Sequence, residues 1–180
     1  GIGSQNGGVV KVASDQDLTI TGTIEVNGGD RGGVIELVTK KAFTLTESGE
    51  LNAKGSIGVG TQIGGNVSIV ALGGDSSIAG EVNVDSQERG GNIAFIANGS
   101  VLVSNNITAN GGIGLGNEGG SILFTTPNSL AISSDIEAHG RTVDGSIQTN
   151  YCAKDFTGAS LDPVPLEITN CTNILINEFL

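Results

Sequence analysis

The chain has 180 residues, with 8 Lys and Arg against 19 Asp and Glu for a formal charge of −11, and it contains 30 Gly, 3 Pro, one Tyr, five Phe and no Met or Trp. Such a charge repels a phosphate backbone over most of the surface and argues against nucleic-acid binding, while the interior has to be built from Ile, Val, Leu and Ala. No run reaches the roughly 18 to 20 apolar residues of a spanning helix, no basic and apolar leader opens the chain, and glycine does not recur at every third position as collagen requires.

The length suits one domain. At its start, Gly1-Ile2-Gly3 ahead of Gly7-Gly8 matches Ser56-Ile57-Gly58 ahead of Gly64-Gly65 and Gly112-Ile113-Gly114 ahead of Gly119-Gly120. The chain opens on Gly1 and begins inside a repeat, so it reads as a processed product or an excised piece, with further coils or a partner expected before residue 1.

The Gly-Gly anchors stand at Gly7-Gly8, Gly32-Gly33, Gly64-Gly65, Gly90-Gly91 and Gly119-Gly120, with Gly145-Ser146 as a degenerate sixth copy. After each anchor come two apolar columns, Val10, Ile35, Val67, Ile93 and Ile122, then Val12, Leu37, Ile69, Phe95 and Phe124. Alternate residues of a strand share a face, so these are one buried strand face per repeat. Leu18 with Ile20, Phe43 with Leu45, Val101 with Val103 and Leu130 with Ile132 mark a second strand, for which the third repeat offers Ile78. Ile24 with Val26, Leu51 with Ala53, Val82 with Val84, Ile107 with Ala109 and Ile136 with Ala138 mark a third. A polar corner residue follows: Asn27, Lys54, Asp85, Asn110 and His139.

Three short strands per repeat cannot bury their faces alone, and stacking the repeats in parallel closes a continuous core. The predicted fold is all-β: a single-stranded right-handed parallel β-helix, a β-solenoid of about five complete coils of three short strands plus a C-terminal cap. Its hand is taken from the general crossover preference. At about 4.8 Å per coil the rod is near 24 Å long. The extra residues of Gly55 to Ile63 form a loop that leaves the register intact.

The glycine pairs read as corner geometry, since a residue with φ > 0 is often needed where the chain turns sharply. The alternative, a phosphate-cradling loop at Gly58-Val59-Gly60 or at Gly111-Gly112-Ile113-Gly114-Leu115-Gly116, lacks the following helix that would receive the phosphate.

Residues 1–150 are therefore assigned to the repeats and 151–180 to the capping segment, where Pro163 and Pro165 interrupt the pattern and Ile168 to Ile176 reads as one more strand. Cys152 and Cys171 fall in this segment. A disulfide between them, worth about 3 kcal/mol by loop entropy, is expected and would imply an oxidising, extracytoplasmic compartment, with buried thiols or metal ligation as alternatives. Metal ligation lacks a His or Cys pair at useful spacing.

Few residues carry a chemical signature. His139, the only histidine, occupies the polar corner column and reads as a solvent-facing turn residue. Asp15 with Asp17, Glu47 with Glu50 and Asp135 with Glu137 are the acidic pairs that could serve glycoside hydrolysis or a hard cation such as Ca²⁺; the simpler reading is a charged rind that keeps the rod soluble. Polysaccharide-cleaving β-helices would need these acids, or basic and aromatic groups, to converge, and Phe43, Phe95 and Phe124 fall in interior columns instead. An ice-binding Thr row begins at Thr19, Thr21, Thr44 and Thr46 and is broken by Leu102, Ser104, Ala131 and Ser133. Asn66, Asn98, Asn106 and Asn170 begin glycosylation sequons.

The segments Gly64-Gly65-Asn66-Val67-Ser68-Ile69, Gly90-Gly91-Asn92-Ile93-Ala94-Phe95 and Gly119-Gly120-Ser121-Ile122-Leu123-Phe124, with the phrase Asn106-Ile107-Thr108-Ala109-Asn110-Gly111, resemble repeats of bacterial filamentous-haemagglutinin-like exoproteins and autotransporter passengers. The resemblance covers residues 7 to 150. It implies a non-catalytic, secreted or surface-anchored β-helix used in adhesion or as a stalk, with a host or matrix glycan or protein as partner and no cofactor. The alternatives are a carbohydrate-binding or polysaccharide-cleaving module, and a filament subunit assembled through coil ends, where Leu175, Ile176, Phe179 and Leu180 would cover an end or pair with a neighbour.

Overall fold

The computed structural model describes residues 5–55, 62–112 and 117–171. Its strands follow the apolar alternation. Coil 1 is β1 (Val9–Ser14), β2 (Leu18–Ile20) and β3 (Thr23–Glu25); coil 2 is β4 (Val34–Thr39), β5 (Phe43–Leu45) and β6 (Glu50–Asn52). Coil 3 is β7 (Asn66–Ala71), β8 (Ser76–Ile78) and β9 (Glu81–Asn83); coil 4 is β10 (Asn92–Ala97), β11 (Val101–Val103) and β12 (Ile107–Thr108). Coil 5 is β13 (Ser121–Thr125), β14 (Ser129–Ile132) and β15 (Asp135–Glu137); coil 6 is β16 (Ser146–Tyr151), β17 (Ala153–Asp155) and β18 (Ser160–Asp162), and β19 (Leu166–Thr169) starts another turn.

Equivalent strands of successive coils pair in parallel, giving one seven-stranded and two six-stranded sheets. The fold is the expected parallel β-helix. It has six described turns rather than five, because the segment expected to be a cap supplies β17 to β19, which continue all three ladders. Pro163 and Pro165 lie between β18 and β19 and leave the pairing on either side intact.

The register stacks side chains of like kind. One column of the first sheet runs Val10, Ile35, Val67, Ile93, Ile122 and Ile147. A column of the third runs Ile24, Leu51, Val82, Ile107, Ile136 and Leu161. From coil 2 to coil 5 these residues are fully or almost fully buried, and each such side chain contributes about 1.5–3 kcal/mol. Ser76 replaces the apolar residue in the column of Phe43, Val101 and Leu130, where its hydroxyl accepts the Phe43 N–H at 3.2 Å. Beside this small residue the Phe43 and Phe95 rings, two coils apart, meet edge to face at 6.0 Å.

Toward the last coil the columns change chemistry. The column Val12, Leu37, Ile69, Phe95, Phe124 continues as Thr149 and then Glu167. The column Val101, Leu130 continues as Lys154. Lys154 and Tyr151 both bond the Glu167 carboxylate, and the Lys154 ammonium stands 5.8 Å from the Tyr151 ring and 5.3 Å from the Phe156 ring. The expected Cys152–Cys171 disulfide is present and ties the end of β16 to the residues after β19. The expected strand beyond Cys171, with Leu175, Ile176, Phe179 and Leu180, lies outside the described residues, as do Gly1 to Ser4.

Candidate functional site

The corner from the third strand of each coil to the first strand of the next is where the structure departs most from plain stacking. The backbone closes it twice. Within a coil, the N–H of Gly33, Gly65, Gly91, Gly120 and Gly145 bonds the carbonyl of Val26, Ala53, Val84, Ala109 and Ala138, at 2.6–2.8 Å, so residues 27–32, 85–90 and 139–144 become loops on a narrow neck, and the same neck closes the corners that begin at Lys54 and Asn110. Between coils, the N–H of Gly32, Gly64, Gly90 and Gly119 bonds the carbonyl of Ile63, Arg89, Glu118 and Val143, at 2.9–3.0 Å.

These approaches leave no room for a side chain. A Cβ on Gly90 would collide with Ala109 O, and one on Gly120 with Gly91 O. Positive φ is not the reason for the pairs: among the described residues only Gly74 and Gly158 have it, at 73° and 80°. Close backbone approach replaces the expected left-handed turn as the reason for glycine.

The register sets Gly145 level with Gly120, so the sixth anchor is Asp144-Gly145 rather than Gly145-Ser146, and the residue before each anchor forms a fourth column, with single parallel bridges linking Asn6, Arg31, Ile63, Arg89, Glu118 and Val143. In coils 3 to 6 the residue that opens the first sheet is an outward polar one, Asn66, Asn92, Ser121 and Ser146, where coils 1 and 2 have Val9 and Val34. Asn92 Nδ2 donates to Asn66 Oδ1 at 2.8 Å, and Ser121 Oγ donates to Asn92 Oδ1 at 2.8 Å. Between these two rows the side-chain-free glycines leave an open groove of about 490 Å³, with Ile63, Arg89, Glu118 and Val143 on one side and Asn92, Ser121 and Ser146 on the other. Its charges are engaged. Arg89 bonds Glu118 Oε2 through Nε at 2.7 Å and through Nη2, and Asp144 Oδ1 lies 2.9 Å from His139 Nδ1 and accepts the Gly140 N–H at 3.1 Å.

The polar corner column holds coil to coil. Asn27 Oδ1 accepts the Lys54 N–H at 2.7 Å, Asp85 Oδ1 the Asn110 N–H at 2.6 Å, and Asn110 Oδ1 the His139 N–H at 2.8 Å. Burial raises the Asp85 carboxyl above the usual range despite its bonds from Asn110 and Thr108 and the nearby Lys54 charge. His139 is exposed, as a turn residue should be, and its ring faces Asp144 and, at 3.8 Å, Asp162.

The acidic pairs stay apart. Asp15 pairs with Lys40 at 2.7 Å, which lowers its carboxyl, and Asp17 accepts the Ala42 N–H, both at the corner between the first and second sheets. Glu50 accepts from Thr23 and Asn52 at the start of β6, with Glu47 in the preceding turn. Asp135 and Glu137 flank buried Ile136 on the outside of β15, and Glu137 accepts from Asn110 at 3.0 Å. Among the described residues no group of three or more His, Cys, Asp or Glu side chains is placed to hold a metal ion, and no helix is long and apolar enough to cross a membrane.

The outward row of the second sheet runs Thr19, Thr44, Ser77, Leu102 and Ala131, so the threonines stop after two coils. Of the sequons, Asn66 and Asn106 are exposed, as is Asn170, whereas the Asn98 amide nitrogen bonds Leu72 O at 3.0 Å. Within Gly55 to Ile63, residues 56–61 lie outside the described residues, as do Ile113 to Gly116 of the other glycine-rich loop. The groove itself was missed in the sequence, although its signal was there: a bulky or charged residue, two glycines, then Asn or Ser, at Ile63 to Asn66, Arg89 to Asn92 and Glu118 to Ser121.

No family model, no curated protein and no solved structure matches the chain.

Proposed function

We propose that the chain is a non-catalytic β-helical segment of a secreted or surface-anchored bacterial exoprotein that serves in adhesion. The observation that carries this reading is the distribution of polar chemistry. The acidic pairs that could have served catalysis sit on three different corners or faces, and Asp15, Asp17, Glu50 and Glu137 bind the neighbouring coil. Spread in this way, the acids serve the stack, and function rests on an outer surface displayed along a rigid rod. The Cys152–Cys171 disulfide supports an oxidising compartment outside the cytoplasm.

A carbohydrate-binding module is the second reading, favoured by the axial groove, which suits a linear polymer. The test is retention of the intact chain on immobilised glycans and matrix proteins, with product analysis of every binder. Selective retention without cleavage, unchanged in the double variant Asp135→Asn/Glu137→Gln, is the expected result. Turnover abolished by that variant overturns the non-catalytic reading, and absence of retention on every surface overturns adhesion.

A further inference from the structure

We infer that the groove beside the glycine pairs of coils 3 to 6 is a binding site for a neutral linear oligosaccharide; this deepens, and rests on, the reading of the chain as an adhesive exoprotein. Shape is the first reason. The groove follows the rod axis, from Ile63 to Val143, three coil steps or about 14 Å at the spacing of parallel strands, and is open along its length. It is therefore shaped for a segment of a linear chain rather than for a compact ligand.

The walls give the second reason. Asn92 keeps one amide hydrogen after its bond to Asn66, Ser121 keeps acceptor capacity after its bond to Asn92, and the Ser146 hydroxyl is exposed while its backbone N–H bonds Gly120 O. These groups recur once per coil along one wall, the arrangement that a row of ring hydroxyls requires. Opposite them Val143 is 57% exposed and Ile63 is half-buried, giving apolar surface for the C–H face of a sugar ring. A Cβ on Gly90, Gly119, Gly120 or Gly145 would meet backbone, so these positions of the floor stay bare, and in the last coil Asp144 takes the place of the first glycine.

Charge selects the ligand class. Arg89 is paired with Glu118, so the groove offers no free cation to an acidic sugar, and the Asp144 carboxylate is taken up by the His139 ring and the Gly140 N–H. The charge of −11 on the whole chain further opposes uronates and sulfated glycans. A hydroxylated, uncharged chain meets none of these penalties.

Calorimetric titration of the intact chain with neutral cello-, xylo-, malto- and chito-oligosaccharides, oligogalacturonate, a sulfated oligosaccharide and an oligolysine peptide tests the assignment. Ser146→Trp fills the groove from an exposed position, and Thr44→Trp adds the same bulk on the second sheet, away from the groove. At least one neutral series should bind, with affinity weakened tenfold or more by Ser146→Trp and kept by Thr44→Trp, both variants melting like the parent. Binding of only the acidic or basic probes, neutral binding indifferent to Ser146→Trp, or no binding of any neutral series overturns the inference. Retention on matrix surfaces that survives Ser146→Trp in those cases leaves the adhesive reading standing and moves its site elsewhere.

Discussion

Coils 2 to 5 and coil 6 share the same three backbone ladders and are stabilised in different ways. In the middle coils the inward positions are filled by residues such as Leu37, Phe95, Phe124 and Leu130, all at 0–1% exposure, and burial of apolar surface does the work. In coil 6 and β19 the same columns hold Thr149, Lys154 and Glu167, and cohesion shifts to the Tyr151–Glu167–Lys154 cluster, the Tyr151–Phe156 edge contact at 5.9 Å and the Cys152–Cys171 disulfide. Strand pairing sets the shape of a coil, and what lies inside it sets how firmly the coil is held. A solenoid is approximately a sum of coil and interface terms, so the two regions can be perturbed separately.

The largest separation should come from Phe95→Ala, which empties the centre of the stack. It should cost about 3–5 kcal/mol and shift the main urea transition, because Phe95 contacts Phe43 across two coils and sits in register with Ile69 and Phe124. Replacing Cys152 and Cys171 by Ser should cost about 2–4 kcal/mol, with amide exchange rising in β16 to β19 and little changed in β4 to β13. An equal rise in exchange across every coil would show that the two regions unfold as one unit.

Acid should distinguish the regions next. Bonds from Lys154 and Tyr151 hold the Glu167 carboxyl below its usual range, so its stabilising effect is present above the unfolded carboxylate range and is lost as pH falls through the lowered value. Protection of β19 should therefore fall on acidification while that of β10 does not, and Glu167→Gln should remove the difference; exchange measured across the acid range checks both.

The smallest effect belongs to Asp85 in coil 3. Its carboxyl is raised by burial, so its titration destabilises the fold as pH rises through the raised value. Asp85→Asn keeps an oxygen for the Asn110 N–H, as Asn27 and Asn110 do for the next coil, and removes the buried charge. Thermal melting at neutral pH should be unchanged or slightly raised, and a loss of more than about 1 kcal/mol would show that the charge itself is needed there.

The middle coils were legible because period-2 alternation and the recurring glycine pair coincide at every turn. Ser76 blurred one column only, and Ile78 kept its place. Coil 6 was harder to read for a physical reason: once Thr149, Lys154 and Glu167 stand in register with the apolar columns, apolar alternation no longer marks the strands, and register passes to backbone pairing. The disulfide was an expectation from spacing and context; its neighbours Tyr151 and Glu167 are brought together by the β16–β19 pairing, which no local pattern announces. Glycine was read correctly as geometry and for the wrong geometric reason, since a collision between coils depends on contacts far apart in sequence. The groove followed the same rule: its two walls are legible singly, and only their separation by an unfilled glycine floor makes a site.

The neck that closes each corner loop has one more consequence. Because Gly65 N–H meets Ala53 O, and Gly91 N–H meets Val84 O, the frame is complete before the loop residues are counted. Residues 54–64 and 85–90 differ in length, yet β7 and β10 leave their corners in the same register. Each corner is thus an insertion port: sequence can be lengthened, shortened or exchanged there without asking the ladder to move, so the rod can vary what it presents to its surroundings while its core stays constant.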